Sequence, residues 1–580
     1  MSHSLTKIGR DYAVPQWKFY LGGTIALIIT NIIVLEIPLL AKKIIDAIAK
    51  QQNLDQLTTV SVAIIALGFA QILIRTTSRI LIFWPGRTLE SEIKSDLFTH
   101  LVKSPLDKLV NFNIGDLTSR LNNDVTQMRI FFAFGALQVL NVIFISLFTV
   151  SKMASIDKIL TALAISPMLC MLLLTKLVMP KLYTSMRENT EALGRLTGRV
   201  SEAFAQVHVI QSMNAIAQIT ERLRPDNESI FQSNIRTIWL RTLTWPVMTV
   251  LIGASQFATL TWGGRQIIAG HMTVGDIMAF NIYIGMLTFP FASLGIILNV
   301  YQRAKPAAER IETINIIEPE GKLTKSPIGK LDLRAPLLEI KNVSFYWPDG
   351  REALSHVTFS VDRGERVGIF GKIGSGKTTL FNLITKLYPH SNGEILIHGQ
   401  NINSMQPEAV RSMIGYALQQ PLLFSESVKS NLCLGRENDD LSIDQLERAA
   451  LRADVLDDIK KLPEVWETPI GERGIKLSGG QKQRLALARL LLRNSELIIL
   501  DDVLSSVDHE TEHRLINSLL ASKSALLIAS HRVSILEPCD RVIILDAGKI
   551  VAQGKYQEVK HLIEIGEARP NSGTLNGADL

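Results

Sequence analysis

The stretch Leu477–Asp508, LSGGQKQRLALARLLLRNSELIILDDVLSSVD, combines three features that decide the fold. A glycine-paired turn, LSGGQ, leads directly into a helix-forming run, and the free amides at a helix start bind anions well. An apolar run, Leu497–Leu500, ends in two carboxylates, Asp501 and Asp502, and a short polar turn, Ser505–Asp508, follows. A carboxylate at the end of a buried strand is well placed to hold Mg²⁺. The stretch therefore predicts a site for phosphate and magnesium.

Length and composition indicate a membrane protein with more than one domain. The chain has 580 residues, of which 47% are hydrophobic, and its mean hydropathy is +0.20. These values are high for a soluble protein and favour membrane spans. The net charge of +6 is modest, and its Lys and Arg residues are not clustered, so a nucleic-acid partner is not indicated. The three cysteines, at 170, 433 and 539, have no paired spacing, which argues against disulfides and zinc.

Six apolar stretches in the first half are long enough to cross roughly 30 Å of hydrocarbon. They cover 19–41, 58–83, 131–150, 158–180, 243–268 and 274–298. The long loops 84–130 and 181–242 are rich in Lys and Arg, which predicts that both loops and both termini face the cytoplasm. Glu36 is an ionisable residue within a span, and alone it is thin evidence for cation selection.

The character of the chain changes after Arg303. A charged helix is followed by a Pro- and Gly-punctuated segment, and short apolar strands then alternate with helices from Leu337. We therefore predict a membrane domain at 1–317, a linker at 318–336, an α/β domain at 337–565 and a disordered tail at 566–580. The expected fold class is an all-α six-helix transmembrane domain followed by an α/β P-loop NTPase domain.

A phosphate-binding loop lies in the second half. The strand Val367–Phe370 runs into GKIGSGKTT, residues 371–379, which opens a helix near Leu380. Glycines at such a loop let backbone amides wrap phosphate, while Lys377 reaches the terminal phosphates and the Thr378 hydroxyl binds Mg²⁺. The nucleotide-binding residues predicted here are Gly371, Gly374, Ser375, Gly376, Lys377, Thr378 and Thr379. Asp501 is the second predicted metal ligand.

With the phosphate-binding loop, LSGGQ and the Asp501 strand together, the chain resembles an exporter-type half-subunit of the ABC transporters. The resemblance implies ATP and Mg²⁺ as cofactors and a second half-transporter as partner. It implies that Trp347 stacks on adenine, with Tyr346 as the alternative, and that Gln419 senses Mg²⁺, with Gln420 as the alternative. It further implies that His531 contacts the γ-phosphate and that Asp508 communicates between sites. Ser478, Gly480 and Gln481 of the signature would then serve the nucleotide of the other subunit. Segments near 113–119 and 213–218 resemble the family's coupling helices.

Asp502 departs from the family, which has Glu at this position as general base for the attacking water. Asp is one methylene shorter, so its carboxylate falls on the order of 1 Å short, which can cost roughly 10²-fold in rate. We expect a slow or non-hydrolysing site on this chain and a competent site on a different partner. A homodimer in which Asp502 suffices is the alternative.

Three functions remain open from the sequence. The first is ATP-driven export of an amphipathic drug-, lipid- or peptide-like substrate across a bacterial inner membrane. A lipid flippase would use the same machinery on a lipid cargo. A regulatory subunit, in which ATP gates a partner without transport, is a different class. The intact motifs favour transport, and the sequence does not identify the cargo.

Overall fold

The computed structural model describes residues 3–49, 54–110, 112–320, 332, 334–435, 441–471, 477–504 and 509–568. The chain divides into two compact units. The helical unit comprises Met1–His100 and Asn113–Ile316, and the second unit comprises Leu101–Phe112 and Ile317–Leu580. The predicted domain limits remain a prediction.

Long helices make up the helical unit. In chain order, the α-helices are α1 (His3–Ile8), α2 (Trp17–Ala49), α3 (Leu54–Val102), α5 (Ile114–Ser119), α6 (Val125–Arg129), α7 (Ala136–Ile156), α8 (Lys158–Ala205), α9 (Val207–Ser212), α10 (Ile216–Ile268) and α11 (Val274–Asn315). Wider π-helical turns at Arg120–Asp124 and Ile130–Gly135 join α5, α6 and α7 into one helical run. Each of the six apolar stretches predicted from the sequence lies within one of these helical runs.

Four helical stretches among the described residues are long and apolar enough to cross a membrane. They are His3–Ala49, Leu57–Val102, Ile114–Ile156 and Val274–Asn315, and a shorter apolar segment covers Lys158–Cys170. Polar contacts join their neighbours within the unit. Tyr283 donates a hydrogen bond to the Leu35 carbonyl at 2.9 Å, and Lys152 pairs with Glu36 at 2.7 Å. Glu36 is therefore not an isolated acid in the bundle.

Side-chain caps explain where two of the long helices begin. The Asp157 carboxylate accepts from the Leu160 amide at 2.6 Å, which starts α8 one residue after α7 ends. Thr273 and Asp276 form a reciprocal capping box at the start of α11. Such caps satisfy amides that the first helical turn leaves without partners.

Two further connections contain short helices, α4 (Leu106–Leu109), which belongs to the second unit, and α9. Both precede the segments that the sequence singled out as coupling helices. The predicted segment at 113–119 corresponds to α5 with its cap, where the Asn113 side chain accepts from the Asp116 amide at 2.7 Å. Asn is a preferred N-cap, so Asn113 fixes where this short helix begins. That the segment acts as a coupling helix stays a prediction.

Two sheets form the core of the second unit. The first has the order β2-β1-β4-β5 and is antiparallel, with β1 (Leu338–Tyr346), β2 (Glu352–Val361), β4 (Asn392–Ile397) and β5 (Gln400–Asn401). The second has the order β10-β9-β3-β8-β7-β6, with β3 (Arg366–Phe370), β6 (Ile414–Ala417), β7 (Leu497–Asp501), β8 (Ala525–Ala529), β9 (Arg541–Asp546) and β10 (Lys549–Gly554). Its strands are parallel except β10, and buried residues of both sheets share one apolar core.

Helices surround the parallel sheet. They are α12 (Lys377–Ile384), α13 (Pro407–Met413), α14 (Val428–Cys433), α15 (Ile443–Arg452), α16 (Leu456–Lys460), α17 (Gly479–Leu492), α18 (His509–Leu520), α19 (Val533–Leu536) and α20 (Tyr556–Ala568). Strand β7 is buried at every position, as its apolar run predicted. The carboxyl ends of β3, β6, β7 and β8 meet at one edge of this sheet, which is where open α/β sheets bind their ligands.

Candidate functional site

A cavity of about 760 Å³ opens at this edge of the sheet, within the range of small-molecule sites. It gathers side chains that lie far apart in the sequence. Its lining consists of Trp347, Arg351, Glu352, Ala353, residues 370–379, Gln419, Asp501, Asp502 and His531. Every predicted residue of the phosphate-binding loop is therefore in the same cavity as the two carboxylates, the histidine and Gln419.

The phosphate-binding loop is shaped by two glycines. Gly376 has φ +106°, and a Cβ there would lie 2.8 Å from the Ala353 carbonyl oxygen. A Cβ on Gly371 would come within 2.4 Å of the Leu545 carbonyl oxygen. Neither position has room for a side chain, and Gly376 also requires the left-handed conformation that glycine adopts without strain. The loop therefore needs these glycines to turn from β3 into α12.

Lys377 is held inside this loop. Its Nζ donates to the carbonyl oxygens of Gly371 at 2.5 Å and Lys372 at 2.9 Å. Burial lowers the pKa of Lys377, and the negative charges of Asp501 and Asp502 partly oppose that shift. An anionic ligand beside the ammonium group would favour its charged form. The geometry suits a lysine that receives phosphate oxygens.

Oxygen atoms suited to Mg²⁺ lie at the junction of α12 and β7. Thr378 Oγ1 donates to Asp501 Oδ2 at 2.7 Å, and Gln419 lines the same cavity after β6. Burial raises the pKa of Asp501, against the hydrogen bond from Thr378 and the charge of Lys377. Hydroxyl, carboxylate and amide oxygens are the ligands that Mg²⁺ prefers. A divalent cation here would also offset the cost of a buried carboxylate, so these residues fit the ion.

Asp502 and His531 form a pair at the ends of β7 and β8. Asp502 Oδ1 lies 3.1 Å from His531 Nδ1, and the Asp502 side chain is 16% exposed. The backbone of Asp502 has φ +49°, and its amide donates to the Ala529 carbonyl at 3.0 Å. Asp is one of the few residues that adopt the left-handed region with little strain. The Asp502 carboxylate is thus engaged by a neighbouring side chain.

Trp347 lines the cavity, whereas Tyr346 does not. The Trp347 ring packs edge-on against Phe345 and Tyr388, with centroids 5.1 and 5.3 Å away. Tyr346 is 45% exposed, and its hydroxyl donates to Glu352 at 3.0 Å. Of the two aromatic residues that the sequence left open, only Trp347 is in a position to stack on a bound base.

The signature residues lie outside this cavity. Ser478 caps α17: its side chain accepts from the Gln481 amide at 3.3 Å, and the Gln481 side chain accepts from the Ser478 amide at 2.9 Å. Gln481 Nε2 also donates to Asp458 at 3.0 Å. Ser478 is exposed, and neither it, Gly480 nor Gln481 is among the residues that line the cavity. Gln420 does not line the cavity, and Asp508 lies outside the described residues.

Three polar residues outside the phosphate-binding loop lie at the site but were not predicted from the sequence. The Tyr416 hydroxyl lies 3.3 Å from Asn382 Oδ1 and 3.5 Å from Asp501 Oδ2, so it borders the proposed metal site. Arg351 and Glu352 line the cavity near Trp347. Tyr416 lies on β6, three residues before Gln419, and the pairing of β6 with β7 was the signal that could have placed it. Arg351 and Glu352 carried no comparable signal.

Comparison with known proteins gives consistent matches over both halves. Residues 20–291 match the family described as ABC transporter transmembrane region, and residues 354–505 match the family described as ABC transporter. The probable multidrug resistance ABC transporter ATP-binding/permease protein YheI of Bacillus subtilis is 32% identical over 486 residues, which cover 82% of each chain. The multidrug resistance-like ATP-binding protein MdlA of Buchnera aphidicola is 30% identical, with 94% of each chain covered.

The fold also matches a solved exporter. The structure of a bacterial Atm1-family ABC exporter with ATP bound aligns with a TM-score of 0.79 and 22% identity, over 96% of this chain and 99% of that one. This similarity concerns the fold, and the family follows from the sequence relatives. The chain therefore belongs to the ABC transporters, as a multidrug-resistance-like exporter half-transporter that fuses a membrane domain to an ATP-binding domain.

Proposed function

We propose that this ATP-driven exporter subunit has a slow ATP site of its own and completes a competent site on a different half-transporter. In this proposal, Trp347 stacks on adenine, Lys377 and His531 contact the terminal phosphates, and Thr378, Asp501 and Gln419 surround Mg²⁺. The signature residues Ser478, Gly480 and Gln481 serve the ATP of the partner. The closed nucleotide-bound dimer, with Asp508 communicating between its sites, shifts the membrane half between inward- and outward-facing states.

The position of Asp502 carries the proposal. A general base must reach the attacking water, and Asp is one methylene shorter than the Glu of the family. A misplacement of about 1 Å can cost on the order of 10²-fold in rate. The Asp502 carboxylate also has His531 as a partner at 3.1 Å, and its backbone is fixed in the left-handed region. Both features restrain it from moving toward a water molecule on a γ-phosphate.

The signature segment supports the second half of the proposal. Ser478 and Gln481 are ordered by their capping box, and Gln481 is braced by Asp458. Ser478 is exposed and away from the cavity of its own chain. Because the signature is ordered and lies outside the nucleotide cavity of its own chain, it is available to contact a nucleotide bound to another chain. A homodimer would give two slow sites, so a partner with Glu at the matching position is favoured.

The membrane half suits an amphipathic drug-, lipid- or peptide-like cargo. The Glu36 carboxylate pairs with Lys152, which leaves this acid neutralised rather than ready for a cation. We propose six spans with both termini in the cytoplasm of a bacterium, because the basic residues concentrate in the two long loops. ATP needs only to bind the closed state better than the open state to shift the membrane half.

Steady-state ATP hydrolysis by the purified full-length chain tests the proposal. We expect ATP binding with little turnover, and we expect Asp502→Asn to leave that low rate nearly unchanged. Adding the partner half-transporter should raise the rate, and this gain should survive Asp502→Asn in this chain. Brisk hydrolysis by the chain alone that disappears in Asp502→Asn contradicts the slow site and favours the homodimer. Absence of cargo flux into proteoliposomes with every partner would favour a regulatory subunit.

A further inference from the structure

A cluster around Arg411 joins the phosphate-binding helix to two segments that continue into long helices. Arg411 lies in α13, and its guanidinium forms a bidentate pair with Glu320, with Nη1 to Oε2 at 2.8 Å and Nη2 to Oε1 at 3.2 Å. The same guanidinium donates from Nε to the Thr385 carbonyl at 3.2 Å and from Nη2 to the Lys386 carbonyl at 2.8 Å. These two carbonyls follow the last turn of α12.

Helix α12 connects this cluster to the nucleotide cavity. Its first residue is Lys377 of the phosphate-binding loop, and it is only eight residues long. At 1.5 Å per residue it spans about 12 Å. A helix of two turns moves as a stiff body, so a shift of the loop when phosphate binds or leaves displaces the carbonyls that Arg411 holds. The position of Arg411 therefore depends on the conformation of the phosphate-binding loop.

Glu320 connects the cluster to the rest of the chain. It lies five residues beyond the end of α11 at Asn315, and its backbone amide donates to the Lys103 carbonyl at 2.7 Å. Lys103 directly follows the end of α3 at Val102. Glu320 therefore bonds Arg411 through its side chain and the continuation of α3 through its backbone. Glu320 therefore connects the segment that follows α11 to the segment that follows α3.

The geometry of the pair favours a rigid joint over a surface contact. Exposed ion pairs contribute little to stability, largely because both side chains remain mobile. Here the Glu320 side chain is 18% exposed and that of Arg411 is 32% exposed. A bidentate arginine–carboxylate pair fixes orientation as well as distance, which a lysine cannot do. The two further bonds to the end of α12 leave the guanidinium a single orientation.

We propose that Arg411 and Glu320 are positioning residues that transmit the state of the phosphate-binding loop, through α12, to the segments leading into α3 and α11. The route is separate from Gln419, which lies beside the proposed metal site. The inference rests on the ATP-driven activity of the family, and it does not depend on slow hydrolysis at Asp502. Loss of the joint should therefore uncouple the membrane half from ATP while leaving ATP binding intact.

The test uses two variants. Arg411→Lys keeps the positive charge but cannot form the bidentate pair, and Glu320→Gln keeps the size of the side chain but removes its negative charge. Each variant is made in the full-length chain, assembled as the dimer, with Cys170→Ser to remove the exposed native thiol. Spin labels replace two exposed residues of the membrane half, Ser61 in α3 and His271 in the connection between α10 and α11. The distance between the labels is measured with and without Mg–ATP, and ATP affinity is measured in the same samples.

We expect both variants to bind ATP within about twofold of the parent and to lose at least about half of the ATP-induced change in label distance. The double variant should lose no more of the ATP-induced distance change than either single variant, because both substitutions break the same Arg411–Glu320 pair. The matched controls are Arg514→Lys and Glu510→Gln, which alter an exposed pair in α18 of the same unit. A full distance change in Arg411→Lys and Glu320→Gln overturns the proposal, as does an equal loss in the controls.

Discussion

The Nδ1 atom of His531 lies 3.1 Å from Oδ1 of Asp502, and both side chains line the nucleotide cavity. The acid that follows the metal-site aspartate is thus already paired before it meets a water molecule. This pairing and the shorter side chain are the two features behind the proposed slow hydrolysis at this site.

Replacement of Asp502 by Glu should speed hydrolysis. The added methylene recovers about 1 Å of reach, and the gain in turnover should approach the order of 10²-fold attributed to such a misplacement. Steady-state phosphate release from the full-length chain measures it. Glu tolerates φ +49° less well than Asp, so a small decrease in Tm should accompany the gain. An unchanged rate at unchanged ATP affinity would show that side-chain length does not limit this site.

Replacement of Asp501 by Asn should stabilise the protein while it weakens Mg²⁺-dependent ATP binding. Burial raises the pKa of Asp501, so its ionised form costs stability above the unfolded pKa, and acidification relieves that cost. The gain in Tm, about 2–4 °C for each kcal/mol in a domain of this size, should be largest near neutral pH. It should shrink as the pH falls through the raised pKa. Hydrogen bonds lower the pKa of the exposed Asp349, so Asp349→Asn is the control that should bring no gain.

Removal of the Trp347 ring should weaken ATP binding. Stacking of a base on an aromatic side chain contributes about 1–3 kcal/mol, so Trp347→Ala should raise the Kd about 5- to 150-fold. Trp347→Tyr should retain most of the affinity, and Tyr346→Ala should leave it unchanged because Tyr346 is outside the cavity. Fluorescence titration with a labelled ATP analogue measures the three values. Inorganic triphosphate, which has no base, should bind Trp347→Ala as well as it binds the parent.

Changes at Ser478 should act on the partner's nucleotide. Ser478→Ala removes the N-cap of α17, worth about 1 kcal/mol, and the hydroxyl presented to the other chain. In the assembled heterodimer, turnover should fall, whereas ATP binding to this chain should not change. Site-resolved photolabelling with an azido nucleotide separates the two chains. A loss of labelling on this chain alone would mean that its signature serves its own site.

A buried acid should stabilise the segment that carries His531. Glu512 is 0% exposed; it accepts from Ser534 at 2.5 Å and pairs with Arg532. Glu512→Gln removes the charge that pairs with Arg532, so that arginine loses this buried ion pair. We expect the free energy of unfolding to fall by about 1–3 kcal/mol, seen as a lower Tm. ATP affinity should also fall, because His531, which is proposed to contact the terminal phosphates, adjoins Arg532. The neighbouring exposed acid provides the control, since Glu510→Gln should change neither value measurably.

Local patterns predicted the parts of the site that are built from consecutive residues. The phosphate-binding loop follows its strand and opens α12 because two glycine positions tolerate no side chain. Asp501 ends a wholly buried strand, as its apolar run required. The placement of Tyr416, Arg351 and Glu352 depends on how distant segments fold together, and nothing in the local pattern carries that information.

Two further features depend on backbone conformation and on long-range pairing. A helix cap and a turn share the same residue types, so only the backbone conformation shows that Asn113 caps α5. The pair of Arg411 with Glu320 joins residues 91 positions apart through a side-chain fork that no periodicity encodes. Such contacts become visible only once both ends have been placed in three dimensions.

The capping box at Ser478 has a consequence for how two chains meet. A hydroxyl has one proton and two lone pairs, and Ser478 uses a lone pair to accept from the Gln481 amide. Its proton can still be donated to a phosphate oxygen while the cap is intact. The loss of conformational entropy needed to order the signature is therefore incurred when the chain folds, and little of it is left to oppose closure on a partner's nucleotide.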